Sequence, residues 1–155
     1  MPRTKAYNVR LATENDIIDI SILGKQFAKE SGNARLGWDH TKVFNSLANA
    51  ITREEFLILV LEYDDEIVGM FIGFIAECFF SLKTQSCELS WYVTPDHRGT
   101  KAAFEMVDIY EQWARDGGAT MANLINLDIL NADKVAKFYR RKGYTLAENT
   151  FVKEL

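Results

Sequence analysis

The sequence predicts a mixed α/β (α+β) fold, one sheet of mixed strand direction with helices on both faces. Two observations carry that prediction. Three strand-like runs in the middle of the chain follow one another through short turn signals, so they pair antiparallel. A strand–helix–strand unit comes after them, and such a connection favours a parallel pair in the second half. The complete order reads β-α-α-β-β-β-α-β-α-β.

Tyr7–Leu11 reads as a short first strand. Thr13-Glu14-Asn15-Asp16 then has the spacing of a capping box, with Asp16 in place of the usual Glu. Ile17, Ile20, Leu23, Gly24 and Phe27 recur at helical spacing, so a helix runs to about Glu30 and stops at Ser31-Gly32-Asn33. Asp39 is a second N-cap, ahead of an apolar face made by Val43, Phe44, Leu47 and Ile51. Residues 56–62 form a strand, Asp64-Asp65 a turn, and 67–80 the long return strand, with Gly69 and Gly73 marking bends or close packing. Residues 87–93 form the next strand, and 95–100 a loop broken by Pro95. Residues 101–116 make an amphipathic helix ended by Gly117-Gly118. A strand over 120–127, a helix over 131–142 closed by Gly143, and one or two terminal strands within 144–155 complete the chain.

A chain of 155 residues suits a single domain spanning 1–155. Hydrophobic residues at 48% and charged residues at 26% fit a folded domain with a substantial core. The net charge of −4 argues against nucleic acid as a partner, because phosphate backbones want a basic surface. It leaves room for a small anion held by backbone N–H groups. Cys78 and Cys87 lie in apolar runs without zinc spacing, so we expect two reduced thiols and no metal site. Residues 1–5 contain no apolar leader segment, and 67–80 is interrupted by Gly69, Gly73 and Glu77, so we expect no membrane partner and a cytoplasmic location.

Two segments hold candidate chemistry. In the first, Trp91 to Ala103, a strand ends, a short loop carries Arg98, Gly99 and Thr100, and a long helix starts. Open N–H groups at a helix N-terminus attract anions, and Gly99, Thr100, Ala102 and Ala103 are small enough to let a pyrophosphate approach the backbone. Arg98 and Lys101 add positive charge. An ordinary loop with two solvated cations is the plainer account. In the second, Ala132, Val135 and Phe138 make the apolar stripe of a short helix, and Tyr139 lies one position off it. A tyrosine so placed can donate a proton to a leaving group. Simple core packing is again the plainer account.

Together these segments resemble the GNAT superfamily of acyl-CoA-dependent N-acetyltransferases. Val93, Pro95, Arg98, Gly99 and Ala103 match its Val-x-Pro-x-x-Arg-Gly-x-Gly-x-Gly/Ala signature, with Lys101 where a glycine is usual. Asn131, Phe138, Tyr139, Gly143 and Tyr144 match its Asn-x-x-Ala-x-x-Phe-Tyr-x-x-x-Gly-Phe/Tyr pattern, with Lys134 in the alanine position. The first strand and cap, from Tyr7 to Asp16, also resemble the family's opening.

The resemblance implies a largely antiparallel sheet splayed in its middle, with acetyl-CoA as co-substrate between the parted strands. Trp91, Tyr92 and Val93 would offer backbone groups to the acetyl and pantetheine portions. Arg98, Gly99, Thr100, Lys101, Ala102 and Ala103 would hold the pyrophosphate, and Asn131 would reach the pantetheine or ribose region. Tyr139 would protonate the departing thiolate. The acceptor would be a primary amine of a small molecule or a protein, attacking directly once a base has removed its proton.

Glu88 is the leading candidate for that base, because strand alternation puts Glu88, Ser90 and Tyr92 on one face. Glu77 is a weaker candidate on the neighbouring strand. His97 reads as cofactor-adjacent or exposed, and His40 as a residue of the acceptor mouth. Trp38 either walls the acceptor pocket or caps the core. A catalytically degenerate domain that binds acyl-CoA or a protein partner is the alternative, favoured by Lys101 and Lys134. A homodimer remains open.

Overall fold

In the computed structural model, residues 6–127 and 131–155 are described. The leader-free reading of residues 1–5 therefore lies outside the described residues. The chain divides into two compact units, Met1–Ile125 and Asn126–Leu155.

The first unit is built on one five-stranded sheet. Its strands are β1 (Tyr7–Leu11), β2 (Phe56–Tyr63), β3 (Glu66–Glu77), β4 (Thr84–Val93) and β5 (Ala119–Asn123), side by side in that order. The first three pairings are antiparallel and β4–β5 is parallel. Helices α1 (Ile17–Glu30) and α2 (His40–Ala50) connect β1 to β2, and α3 (Lys101–Asp116) connects β4 to β5.

Local chemistry sets the element ends. The Thr13 N–H donates to Asp16 Oδ2 at 2.7 Å, the backbone-to-carboxylate half of the expected capping box. Arg10 grips the same carboxylate at 2.7 and 2.9 Å and reaches Glu62 at 2.8 Å, tying β1, β2 and the start of α1 together. Asp39 caps α2 by accepting from the Lys42 N–H at 2.7 Å. Asp64 and Asp65 both take positive φ, 55° and 65°, as a two-residue hairpin turn between right-twisted strands demands.

Strand alternation divides the core. Ile58, Val60, Met70 and Tyr92 meet Ile17, Ile20 and Leu23 of α1 and Leu47 of α2 on one face. Leu57, Leu59 and Leu61 point the other way, the side on which the Phe71 and Tyr110 rings lie 4.8 Å apart and Tyr110 anchors α3. β2 is apolar on both faces for this reason, and both sides of the sheet carry helices.

The second unit contains α4 (Ala132–Arg141). Gly143, at φ 93°, ends it: the Tyr144 N–H donates to the Tyr139 carbonyl and the Gly143 N–H to the Arg140 carbonyl, each at 3.0 Å. Both bonds are those of a glycine-terminated helix cap. Tyr139 is the one buried residue of α4, while the Ala132–Val135–Phe138 line beside it is half-buried.

Two expectations need correcting. Residues 144–155 form no strand, and Leu146, Phe151 and Val152 are exposed. Strand-like composition contributes little without a ladder partner and a buried face, and this segment has neither among the described residues. The strand expected over 120–127 also stops early, at Asn123. Among the described residues no helix is long and apolar enough to cross a membrane.

Candidate active site

The site begins where two parallel strands part. β4 and β5 are paired from Thr84 to Cys87, opposite Ala119 to Asn123, and β4 then continues to Val93 paired with β3 only. The Asn123 side-chain amide fastens the last paired position, donating to the Ser86 carbonyl at 3.0 Å. Tyr110, fully buried, donates from its hydroxyl to the Asn123 carbonyl at 2.9 Å. Beyond this clamp no β5 residue pairs with 88–93, and side chains take part of that edge: Glu88 accepts from the Trp91 backbone, and the Val93 carbonyl accepts from Arg98.

A β-bulge sits at the same place. Ile72 faces Ser90 and Gly73 faces Glu88, which leaves Leu89 as the extra residue. The bulge overturns the expectation that Glu88, Ser90 and Tyr92 share a face. Ser90 and Tyr92 follow Ile72 and Met70 toward α1 and α2. Glu88 pairs with Gly73, whose added Cβ would lie 3.0 Å from the Tyr110 ring, so it faces α3. The inserted residue shifts the two-residue alternation by one.

Glu88 is buried at the parting, with 7% of its surface exposed. Its Oε2 accepts from the Ile125 N–H at 3.0 Å, replacing a ladder bond that β5 no longer supplies. Burial raises its pKa from 4.5 to about 7, and hydrogen bonds from the Ile125 and Trp91 backbones oppose only part of that rise. Glu77, the weaker candidate, ends β3 at the far end of the β3–β4 pair, opposite Thr84.

The loop after Val93 forms the other wall. Pro95–His97 makes a single turn, Gly99 takes φ 73°, and Thr100 caps α3 by accepting the Ala103 N–H at 3.2 Å. The N–H groups of Lys101 and Ala102 have no carbonyl four residues back to bond, so they face outward from the helix start. Lys101 adopts helical backbone and its side chain is exposed. It thus supplies a main-chain donor as a glycine would. Ala102 and Ala103 keep the approach shallow. Ser90 Oγ and Thr94 Oγ1 are buried without hydrogen-bond partners among the described residues. This donor set, small and rich in unpaired N–H and O–H groups, fits an anionic thioester carrier.

The Arg98 guanidinium points elsewhere. It donates to the Val93 carbonyl at 2.7 Å and to Glu30 Oε2 at 2.6 Å, and it stacks over the Tyr92 ring at 5.3 Å. The Tyr92 hydroxyl donates to the other Glu30 oxygen at 2.7 Å. Burial works to raise the Glu30 pKa, but Tyr92 and Arg98 together hold it below the usual carboxylate range. Burial chiefly, then Glu30, pushes the Tyr92 phenol up to about 12. Sequence reasoning missed Glu30, Tyr110 and Asn123. Only the apolar-stripe position of Tyr110 was visible, because their partners lie far away in the chain.

His97 shares a 2.9 Å hydrogen bond through Nδ1 with the Tyr7 hydroxyl and lies 4.8 Å from the Tyr63 ring, so it braces the loop against β1 and β2. Trp38 packs on α1, where its ring fills the space beside Gly24. Two clefts flank the first two helices. One, of about 390 Å³, is lined by Ile18, Ile22, His40 and Phe44. The other, of about 280 Å³, runs from Leu47 and Ala50 past Arg53 to Ile72 and the bulged Leu89.

Asn131 and Tyr139 belong to the second unit. Asn131 begins α4 with φ 53° and ψ 39°, and its side chain makes no cap hydrogen bond. Tyr139 is packed between the Phe138 and Tyr144 rings, each 5.9 Å away.

Comparison with known proteins agrees with this fold. The sequence model of the acetyltransferase (GNAT) family matches residues 25–144. The chain therefore belongs to the GNAT acetyltransferase family. Its fold is similar to an aminoglycoside N-acetyltransferase solved in complex with CoA, at TM-score 0.77 and 13% identity, covering 100% of this chain and 98% of that one. It is also similar to an aminoglycoside acetyltransferase from an uncultured soil metagenomic sample, at TM-score 0.74 and 13% identity over 97% and 99% of the two chains. A ribosomal-protein-alanine N-acetyltransferase from Brucella melitensis biovar Abortus 2308 gives TM-score 0.72 and 16% identity over 97% and 99%. No curated protein matches the sequence significantly.

Proposed function

We propose that this protein transfers an acetyl group from acetyl-CoA to a primary amine, of a small molecule or a protein, by direct attack, and that residues 1–155 act as one domain. The family match runs from 25 to 144 and so spans both units. The observation that carries the reading is the parting of β4 from β5 after Cys87, with buried Glu88 at the parting and the open start of α3 beyond Val93. When bound, acetyl-CoA supplies an activated acyl carbon and a thiolate leaving group.

The chain's own residues supply the rest. Main-chain N–H groups of Gly99 to Ala102 face the diphosphate, aided by the partial positive charge of the α3 N-terminus, while Ala103, whose N–H is taken by the Thr100 cap, only keeps the approach open. Arg98 acts through Glu30 and Val93, holding the loop in shape. The β4 edge at Trp91, Tyr92 and Val93 is the part we assign to the pantetheine arm, and Asn131 is assigned to its pantetheine or ribose region. A neutral amine is the nucleophile, and Glu88 Oε1 or Oε2 takes its proton. Because Glu88 is buried, that proton reaches it through the parting, by way of a water. Tyr139 Oη holds the proton that the leaving thiolate requires. Acceptor amines enter from the α1–α2 side, where the cleft ending at Leu89 meets the bulge.

Thermal melting with acetyl-CoA, followed by thiol release over a panel of amines, tests the reading. At a hundredfold excess over Kd, ligand binding stabilises by about 2.7 kcal/mol, so the melting temperature should rise by roughly 5–10 °C. Thiol release should need an amine, and Tyr139→Phe should slow it while keeping the thermal shift. A shift without thiol release for any amine would reduce the protein to an acyl-CoA binder. No shift would remove the co-substrate.

A further inference from the structure

We propose that the tip of the β3–β4 hairpin, Phe79, Phe80 and Leu82, is a self-association surface that packs against the same tip of a second copy of this chain. All three side chains stand in solvent, at 93%, 91% and 96% exposure. At ~150–250 Å² per large apolar side chain they form a patch of roughly 550 Å², at the upper end of what monomers show. Doubling that patch across a two-fold axis buries about 1,100 Å², near the lower edge of a specific interface.

The tip is also ordered. The Cys78 N–H donates to the Lys83 carbonyl at 2.9 Å, the Ser81 N–H to the Cys78 carbonyl at 3.3 Å, and the Lys83 N–H to Ser81 Oγ at 3.1 Å. The Phe79 and Phe80 rings meet edge to face at 5.0 Å. A surface already fixed in this way loses little freedom on association.

Charge selects the occupant. Glu77 and Lys83 flank the tip, one on each strand side, and both are exposed. A two-fold axis through the tip sets Glu77 of each copy against Lys83 of the other, a self-complementary arrangement. An anionic lipid surface would instead meet a chain of net charge −4 with one lysine at the point of contact. The ten residues of β4 separate the tip from the loop after Val93 by about 30 Å at ~3.3 Å per residue, so association leaves the start of α3 open.

Sedimentation equilibrium of the full chain from low to high micromolar concentration tests this. The wild type should pass from monomer to dimer. Phe79→Ser with Phe80→Ser should weaken association at least about tenfold, with melting temperature and circular dichroism unchanged. Glu77→Lys and Lys83→Glu should each weaken the dimer, and the two together should restore it. A monomeric wild type would overturn the proposal, as would a dimer indifferent to the tip variants. A double charge reversal no better than the single ones would overturn the pairing. Flotation of the wild type with phosphatidylcholine–phosphatidylserine vesicles, lost in the Phe variants, would assign the tip to a membrane and overturn it too.

Discussion

Glu88 meets two requirements with one carboxylate. It closes the hydrogen-bonding gap at Ile125, and it titrates near neutrality because burial disfavours its charge. A general base must be ionised to act, so with a pKa of about 7 the value of kcat/KM should climb as pH rises toward 7 and level off above it. Glu88→Gln keeps an acceptor for the Ile125 N–H but cannot take a proton. It should lower turnover by roughly 10²-fold or more and remove that rise, as measured by thiol release from about pH 5.5 to 9. A variant with the wild-type profile would show that Glu88 only holds the strand ends. The residue was legible in the sequence as an acid inside an apolar strand. Its face was not, because the bulge at Leu89 carries no glycine or proline to announce it, and one inserted residue reverses every side chain beyond it.

Elements were most legible where a local cap defines them. Thr13 with Asp16, Asp39, Thr100 and Gly143 each bond within a few residues of themselves, so sequence spacing suffices to find them. Residues 144–155 show the opposite case: a strand depends on a distant partner, which composition does not encode. The seam between β3, α3 and β5 is likewise non-local. Gly73 leaves room for the Tyr110 ring, which would lie 3.0 Å from an added Cβ, and Tyr110 in turn holds the Asn123 carbonyl at the parting. Gly73→Val should push that ring away and cost about 1–3 kcal/mol. The melting temperature should fall by roughly 2–4 °C per kcal/mol, and turnover should fall with it as the clamp at Asn123 loosens. Unchanged melting would show that Tyr110 yields without loss.

Across the molecule, the titrating groups pull stability in opposite directions on either side of about pH 5, following the shift of each carboxyl from its unfolded value. Asp16 is held at about 2, first by its hydrogen bond from Arg10. Its folded pKa is depressed, so its contribution is complete above 3.8 and disappears as pH falls toward 2. Glu62, also held down first by Arg10, and Glu30 add to that acid limb. Glu88 has the reverse sign. Its folded pKa is raised, so the fold binds its proton more tightly than the unfolded chain does, and stability declines as pH rises from 4.5 to about 7. A shift from 4.5 to about 7, at ~1.4 kcal/mol per unit, makes that decline on the order of 3 kcal/mol. Urea unfolding should therefore show maximal stability in mildly acidic buffer and a weaker protein at pH 8, about 3 units higher. Asp16→Asn should lose about 2 kcal/mol at pH 5 and converge on the wild type near pH 2. Glu88→Gln should flatten the neutral limb and exceed the wild type in stability at pH 8, trading the proton acceptor for a better-packed parting. A wild-type profile flat between pH 5 and 8 would mean that Glu88 is hydrated, and the water path to its carboxylate would then be open in the resting protein.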